Sequence, residues 1–220
     1  IKANIVMPEN APEVKKKAVK GYGANIVECE STLQARESTA QKIVEETGAT
    51  FLHPYNCYNV IAGNATATIE LHQQTEELDL VFAPIGGGGL ISGTALANHH
   101  FSNCLTYGAE PKGADDAYRS IKSGELIPML NPNTIADGLR TSLGDKCFPI
   151  IQKHVKDIIT IEEDEIINAL KIIWERMKII IEPSCAVPLA AVLKSKHLFK
   201  NKKIGIIITG GNVDLKKLPF

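Results

Sequence analysis

The sequence of 220 residues has little of several features that mark particular classes of protein. Aromatic residues make up only 5% of it. No apolar run approaches the roughly 20 residues that a membrane-spanning helix requires. The formal net charge is −1, so there is no excess of the basic residues that bind nucleic acids or anionic membranes. We therefore expect neither a nucleic-acid nor a membrane partner.

Paired cysteines are also absent. The five cysteines form no C-x-x-C pair and their number is odd, which favours a reducing compartment, the cytoplasm. The first ten residues, IKANIVMPEN, lack the basic start and the cleavage site of a secretion signal. They begin without Met and inside a predicted strand. We therefore expect the chain to be the later part of a longer protein.

Short apolar segments alternate with helical ones along the chain. This alternation of unbroken apolar strands with helices predicts an α/β protein with a parallel sheet covered on both faces, hence three layers. A capping box is predicted at residues 160–163, and residues 124–149 form the longest stretch without periodicity. Strands are predicted at 1–7, 25–29, 49–54, 78–85, 105–110, 157–161 and 202–211. Helices are predicted at 11–22, 31–48, 58–76, after the glycines at 86–89, behind the capping box with Ile166, Leu170, Ile173 and Met177 on one face, and at 184–196.

Four consecutive glycines, Gly86 to Gly89, stand between a buried strand and a helix in FAPIGGGGLISG (82–93). The free N–H groups and the dipole at a helix start favour an anion, and glycine lets a phosphate approach the backbone. A tight turn would explain one or two glycines. Four in a row favour a phosphate site.

The spacing of these glycines argues against a nucleotide. In the dinucleotide pattern G-x-G-x-x-G the third glycine would fall on Ile91 or Ser92. Glu110 does lie about twenty residues further on, where a ribose-binding acid is expected, so NAD remains an alternative. No G-K-[ST] follows the glycines, which argues against a P-loop. A single phosphate fits the pattern better than a diphosphate.

Four motifs in order carry a resemblance to a known family: GGGGLISG, TIADGL (134–139), WERMKIIIEPSCA (174–186) and ITGGNVD (208–214). Together they resemble the serine racemase and serine/threonine dehydratase family of pyridoxal-phosphate enzymes, over essentially the whole chain. The resemblance implies fold type II of these enzymes, with residues 1–53 as part of a small α/β domain and 54–220 as the large cofactor domain. It also implies a homodimer.

The resemblance assigns roles around the cofactor, pyridoxal 5'-phosphate. Gly86, Gly87, Gly88 and Gly89 would hold its phosphate, and the hydroxyl of Thr209 would contact its pyridine nitrogen. Gly138 would pack against the ring, and Glu182 would lie nearby as a possible catalytic group. Arg36 and Thr141 correspond to residues near the substrate carboxylate, although a solvated helix face explains Arg36 equally well.

The segment GAEPKGADDAYRS (108–120) corresponds to a divalent-cation site in that family. The resemblance implies Glu110, the carbonyl of Ala114 and Asp116 as ligands, and oxygen ligands suit Mg²⁺, Mn²⁺ or Ca²⁺. An acidic loop that complements a helix dipole is the alternative.

Three family segments have no counterpart here: the S-x-K segment with the Schiff-base lysine, the S-G-N-H-G segment and the serine that acts as second base. The first hypothesis is therefore the C-terminal portion of a serine racemase or a serine/threonine ammonia-lyase, inactive alone because the lysine is missing. The second is a non-catalytic paralogue that binds the cofactor or pairs with an intact subunit. A nucleotide-binding module is the third.

Overall fold

A computed structural model of the chain describes residues 2–216 and 218–220. The chain divides into two compact units. The first comprises Ile1–Leu52 and Asn212–Leu218, and the second comprises His53–Gly211 and Pro219–Phe220. Arg36 belongs to the first unit, whereas all other candidate residues belong to the second.

The first unit is built on two parallel strands, in which Asn4 lies beside Asn25. Its second helix begins at Thr32, whose hydroxyl accepts a hydrogen bond from the N–H of Ala35 at 3.1 Å, and ends at Gly48 in the left-handed conformation. Its elements are β1 (Asn4–Pro8), α1 (Glu13–Gly21), β2 (Asn25–Cys29) and α2 (Leu33–Thr47).

The second unit is built on a four-stranded parallel sheet in the order β5-β4-β3-β6. Its strands are β3 (Leu80–Pro84), β4 (Leu105–Pro111), β5 (Asp157–Ile161) and β6 (Ile204–Ile206). Its helices are α3 (Tyr58–Gln74), α4 (Gly89–Phe101), α5 (Asp116–Ser123), α6 (Cys147–His154), α7 (Glu163–Met177) and α8 (Pro183–Lys194). Short 3-10 turns lie at Lys112–Ala114 and Asp137–Leu139.

The sheet of the second unit has an apolar core on each face. Successive residues of a strand point to opposite faces, so Phe82 packs into one core and Ala83 into the other. Helices α7 and α8 cover the first face, and α3, α4 and α6 contribute to the second. The predicted three-layer α/β fold is therefore confirmed. None of the helices in the described part of the chain has the length and apolarity to cross a membrane.

The strand predicted at 49–54 is wrong. Among the described residues this segment pairs with no strand, and the side chains of Phe51 and Leu52 are 51% and 63% exposed. The apolar and β-branched letters suggested a strand, but a strand needs a ladder partner as well as the right residue types.

Two further local expectations were inaccurate. The aperiodic stretch 124–149 gives way to α6 already at Cys147; this short helix fully buries two residues, Cys147 and Ile151, which are too few to show a period in the sequence. The capping box lies two residues later than predicted. Its first residue is Glu162, whose N–H donates to the carboxylate of Glu165 at 2.9 Å, since residues 160 and 161 still belong to β5.

Candidate cofactor site

The glycine loop, Gly86–Gly89, joins the carboxyl end of β3 to the first turn of α4. All four residues are buried, and Gly88 has a left-handed backbone with φ of 88°. Within the described residues, none of their four N–H groups donates a hydrogen bond to the protein. Because a buried N–H without an acceptor is costly, the loop is suited to hold an anion at the start of α4.

Close packing explains why each position of the loop is glycine. A Cβ on Gly87 would lie 2.2 Å from the ring of Tyr55, and one on Gly88 would lie 2.7 Å from Leu143. A Cβ on Gly86 would come within 3.1 Å of the carbonyl oxygen of Gly138. The protein itself therefore approaches these glycines on one side. Sequence reasoning missed Tyr55, since no local pattern links it to a loop thirty residues away.

Tyr55 is held in place by contacts at both of its ends. Its hydroxyl lies 2.9 Å from the hydroxyl of Thr141, and its backbone carbonyl accepts from the thiol of Cys147 at 3.6 Å. Thr141 is thus hydrogen-bonded to Tyr55, the residue whose ring packs against Gly87 of the glycine loop. Its predicted contact with substrate stays a prediction.

Gly138 lies between the glycine loop and the start of α8. Its N–H donates to the hydroxyl of Ser184 at 3.1 Å. A Cβ there would meet that hydroxyl at 2.9 Å and a carboxylate oxygen of Glu182 at 3.3 Å. Gly138 is nevertheless exposed on its other side. Gly138 therefore presents exposed backbone beside the loop, with the carboxylate of Glu182 nearby.

Thr209 follows β6 and adjoins the first turn of α8. Its hydroxyl lies 3.0 Å from the sulfur of Cys185, and the next carbonyl, that of Gly210, accepts from the N–H of Glu182 at 3.1 Å. Thr209 is exposed, as Gly138 is. Its hydroxyl is thus anchored on one side and accessible on the other.

These candidate groups share one edge of the sheet. Strands β3 and β6 are parallel neighbours, so the loops that follow them, with Gly86 and Thr209, emerge at the same carboxyl edge. Open parallel sheets bind ligands outside the carboxyl ends of their strands. The fold therefore brings together the glycine loop, Gly138, Glu182 and Thr209, which are far apart in sequence.

Two buried carboxylates lie at the same edge, one near the carboxyl end of β4 and one at the start of α5. The oxygens of Glu110 accept the N–H groups of Ala117 and Tyr118 at 3.1 and 2.9 Å. One oxygen of Asp116 accepts the N–H of Leu143 at 2.7 Å, whereas its other oxygen, Oδ1, is buried and has no hydrogen-bond partner among the described residues. Both side chains are fully buried. We call Glu110 and Asp116 the acidic pair.

The acidic pair is costly to ionise in this environment. Burial, followed by the negative charge of Asp116, raises the pKa of Glu110 well above its usual range. Burial raises the pKa of Asp116 to about 6. Ala114, the third predicted ligand, is buried in the 3-10 turn between them in sequence. No group of three or more His, Cys, Asp or Glu side chains in the described part of the chain is arranged to hold a metal ion.

The remaining candidate, Arg36, lies half-buried on α2 of the first unit, where its N–H donates to the carbonyl of Thr32. Its role toward a substrate stays a prediction.

One tripeptide, Ser120-Ile121-Lys122, does have the letters S-x-K. Lys122 lies at the end of α5, where its ammonium is 3.6 Å from Asp157. Asp157 begins β5, so this lysine is at the amino edge of the sheet, opposite the glycine loop. It cannot serve the candidate site.

Comparison with known proteins decides the family. The family described as "Pyridoxal-phosphate dependent enzyme" matches residues 1–210. The chain belongs to this family of pyridoxal-phosphate dependent enzymes. Pyridoxal phosphate as the family's cofactor is thereby confirmed, and the NAD alternative loses its support.

Individual relatives place the chain with the serine racemases and dehydratases. It is 49% identical over 223 residues to serine racemase of Dictyostelium discoideum, covering 99% of this chain and 69% of that protein. It is 48% identical over 221 residues to beta-hydroxyaspartate dehydratase of Paracoccus denitrificans, covering 100% and 70%. The structure of maize serine racemase superposes with a TM-score of 0.93 at 42% identity, covering 98% and 68%. The pyridoxal-phosphate fold type II is therefore confirmed.

Proposed function

We propose that the chain forms the phosphate and ring-nitrogen contacts of the cofactor site in an enzyme that racemises or deaminates serine or threonine. The observation that carries this proposal is the row of four buried N–H donors in the glycine loop, for which the described residues provide no acceptor. Relatives named as racemases, dehydratases and ammonia-lyases support it. We propose serine as the preferred β-hydroxy amino acid, ahead of threonine.

The residues fit the cofactor at both ends. The N–H groups of the glycine loop would bind the phosphate, Gly138 would lie against the ring, and the hydroxyl of Thr209 would contact the ring nitrogen. When bound, pyridoxal phosphate withdraws electrons from the Cα–H bond of an attached amino acid. A hydroxyl at the ring nitrogen stabilises a protonated ring less than a carboxylate would. Thr209 therefore favours loss of the β-hydroxyl over transamination.

The residues around this centre have proposed roles that follow from the resemblance. Arg36 and Thr141 are proposed to contact the substrate carboxylate, and a guanidinium suits that geometry. Glu182 is proposed as a proton-handling group near the cofactor. Serine would lose its Cα proton and then either regain it or lose its β-hydroxyl, and the second course ends in pyruvate and ammonia. We propose that the first unit is part of the small domain and the second unit the cofactor domain.

We further propose that these 220 residues alone do not turn over serine. Among the described residues, the one lysine in an S-x-K tripeptide, Lys122, lies at the edge of the sheet opposite the glycine loop, and this supports the proposal. The same observation favours a second candidate function, a non-catalytic protein that binds the cofactor or pairs with an intact subunit. Residence in the cytoplasm is proposed from the unpaired cysteines, and a homodimer from the resemblance.

Binding and turnover by the purified chain test these proposals. Pyridoxamine 5'-phosphate is the appropriate probe because, lacking an aldehyde, it does not react with surface lysines. We expect it to bind, to be displaced by inorganic phosphate, and to leave serine unconverted. Pyruvate formation from serine would contradict the proposed inactivity. Retention of NAD without pyridoxamine phosphate would contradict the cofactor assignment.

A divalent cation at the acidic pair is proposed as a second ligand. The unpartnered Oδ1 of Asp116 and the buried carboxylate of Glu110 support it, because buried anions require compensation. Oxygen ligands suit Mg²⁺, Mn²⁺ or Ca²⁺. We expect each of these ions to raise the melting temperature of the chain at pH 8, and Asp116→Asn to abolish the increase. An equal increase in the variant would place the cation elsewhere.

A further inference from the structure

The sulfur of Cys185 is the centre of a cluster of polar contacts at the ring end of the cofactor site. It accepts the N–H groups of Thr209 and Gly210 at 3.3 and 3.0 Å. It also lies 3.0 Å from the hydroxyl of Thr209 and 2.9 Å from the carbonyl of Gly210. Cys185 itself is fully buried in the first turn of α8. A cysteine that served only as a packing residue would not need four polar neighbours.

The contacts tie the hydroxyl of Thr209 to the sulfur of Cys185. The thiol donates its proton to the carbonyl of Gly210 at 2.9 Å, because a carbonyl oxygen can accept this proton in addition to the N–H of Glu182. The hydroxyl of Thr209 lies 3.0 Å from the same sulfur and has no other hydrogen-bond partner among the described residues. Cys185 therefore fixes the position of this hydroxyl at the ring end of the site.

We infer that Cys185 is a positioning residue, which holds the hydroxyl of Thr209 where it can contact the ring nitrogen of the cofactor. This inference rests on the proposed function, since it concerns the same ring contact. It adds what the glycine loop cannot supply. The loop binds the phosphate through backbone groups, whereas the orientation of a threonine hydroxyl depends on its neighbours.

The experiment compares two ligands of the purified chain. Pyridoxamine 5'-phosphate reaches both ends of the site, and inorganic phosphate reaches only the glycine loop. Because a misplaced hydrogen bond costs about 1 kcal/mol, we expect Cys185→Ala to weaken binding of pyridoxamine phosphate about fivefold. The affinity of the Cys185→Ala variant for inorganic phosphate is expected to stay within about twofold of that of the unsubstituted chain. The pH at which the bound ring protonates, followed by ultraviolet absorption, is expected to shift as well.

A double-mutant cycle shows whether the effect passes through Thr209. In the Thr209→Ala background, Cys185→Ala should cause no further loss, because there is no hydroxyl left to orient. Cys185→Ser retains an O–H donor on a shorter side chain and should restore part of the affinity. This second variant also carries the test if Cys185→Ala does not fold, as judged by circular dichroism.

The outcomes separate the two proposals. Equal binding and an unchanged absorption profile in Cys185→Ala, or an equal loss with and without Thr209, would overturn the positioning role and leave the proposed function intact. A parallel loss of inorganic phosphate binding would also overturn it, because the damage would then extend to the glycine loop. If the unsubstituted chain bound pyridoxamine phosphate no better than inorganic phosphate, both the positioning role of Cys185 and the proposed function would be overturned.

Discussion

The glycine loop and the acidic pair lie at the same edge of one sheet, after neighbouring strands, yet they have opposite polarity. The loop after β3 presents four buried N–H donors and no charged side chain. The pair at the carboxyl end of β4 presents two buried carboxylates, and one of their oxygens has no hydrogen-bond partner in the described part of the chain. A parallel sheet can therefore place an anion site and a candidate cation site side by side.

The difference lies in the origin of the polarity. Backbone N–H groups carry partial positive charge at any pH, so the loop depends on shape alone. The acidic pair depends on protons, because burial makes its ionised form costly unless a cation compensates it. Substitutions in the loop should therefore act through steric clashes. A change of pH should instead alter the ionisation of the acidic pair.

The largest effect is expected for Gly87→Ala. The new Cβ would lie within 2.2–2.4 Å of three ring atoms of Tyr55, a ring that is itself held through Thr141 and Cys147. We expect a loss of more than about 3 kcal/mol in the free energy of unfolding, beyond the usual range for overpacking, together with loss of phosphate binding. Urea denaturation and phosphate titration measure the two.

A matched control uses a glycine with open space around it. A Cβ on Gly63, within α3, would meet nothing within 4 Å, so Gly63→Ala should stabilise the chain by about 0.5–1 kcal/mol through helix propensity. If both substitutions destabilised the chain equally, packing of Tyr55 would not explain the glycine at position 87.

The second prediction concerns pH and the acidic pair. The pKa of Asp116 is raised from 3.8 to about 6 on folding, so the folded chain binds this proton more tightly than the unfolded chain. Its stabilising contribution is present below 3.8 and is lost as the pH rises through about 6. The loss amounts to about 3 kcal/mol, at 1.36 kcal/mol for each pKa unit.

The comparison with Asp116→Asn removes this group together with its charge effect on the pKa of Glu110. In a chelator, the variant should gain stability relative to the original chain as the pH rises from 4 to about 7, because only the original chain must bury the charge. Thermal unfolding across that range provides the measurement. A difference in stability that does not change with pH would show that Asp116 keeps its ordinary pKa.

Gly138→Ala is expected to have a smaller effect than the loop substitution. Its Cβ would meet side-chain atoms, the hydroxyl of Ser184 at 2.9 Å and a carboxylate oxygen of Glu182 at 3.3 Å, and these can move. We expect a loss of about 1 kcal/mol in stability. Pyridoxamine phosphate should bind more weakly while inorganic phosphate binds as before. Equal losses for the two ligands would show that Gly138 acts on the phosphate end.

The smallest effect is expected for Tyr55→Phe. The ring that covers Gly87 is retained, and only the hydroxyl bonded to Thr141 at 2.9 Å is removed. The loss should be about 0.5–1.5 kcal/mol, with phosphate binding unchanged. Thr141→Val removes the other partner, and the two losses should not add. Additive losses in denaturant titrations would show that the two hydroxyls stabilise the chain independently.

Local patterns were sufficient for much of the fold. A run of apolar residues before four glycines correctly predicted a buried strand followed by a helix start, because both features depend on neighbouring residues. The same approach failed at 49–54, where Phe51 and Leu52 looked like strand residues but have no strand to pair with. It also placed the capping box too early, because the length of β5 is set by its pairing with β4.

Short contiguous motifs were enough to predict the α/β layering and the glycine loop, and they carried the resemblance to the family that comparison with known proteins then showed. Three features appear only in the folded chain: Tyr55 fills the space over Gly87, the sulfur of Cys185 lies against the hydroxyl of Thr209, and Lys122 lies at the edge of the sheet opposite the glycine loop. The first two are contacts between residues that are distant in sequence, and the third depends on the direction in which α5 runs. They depend on how strands align, which no local pattern records.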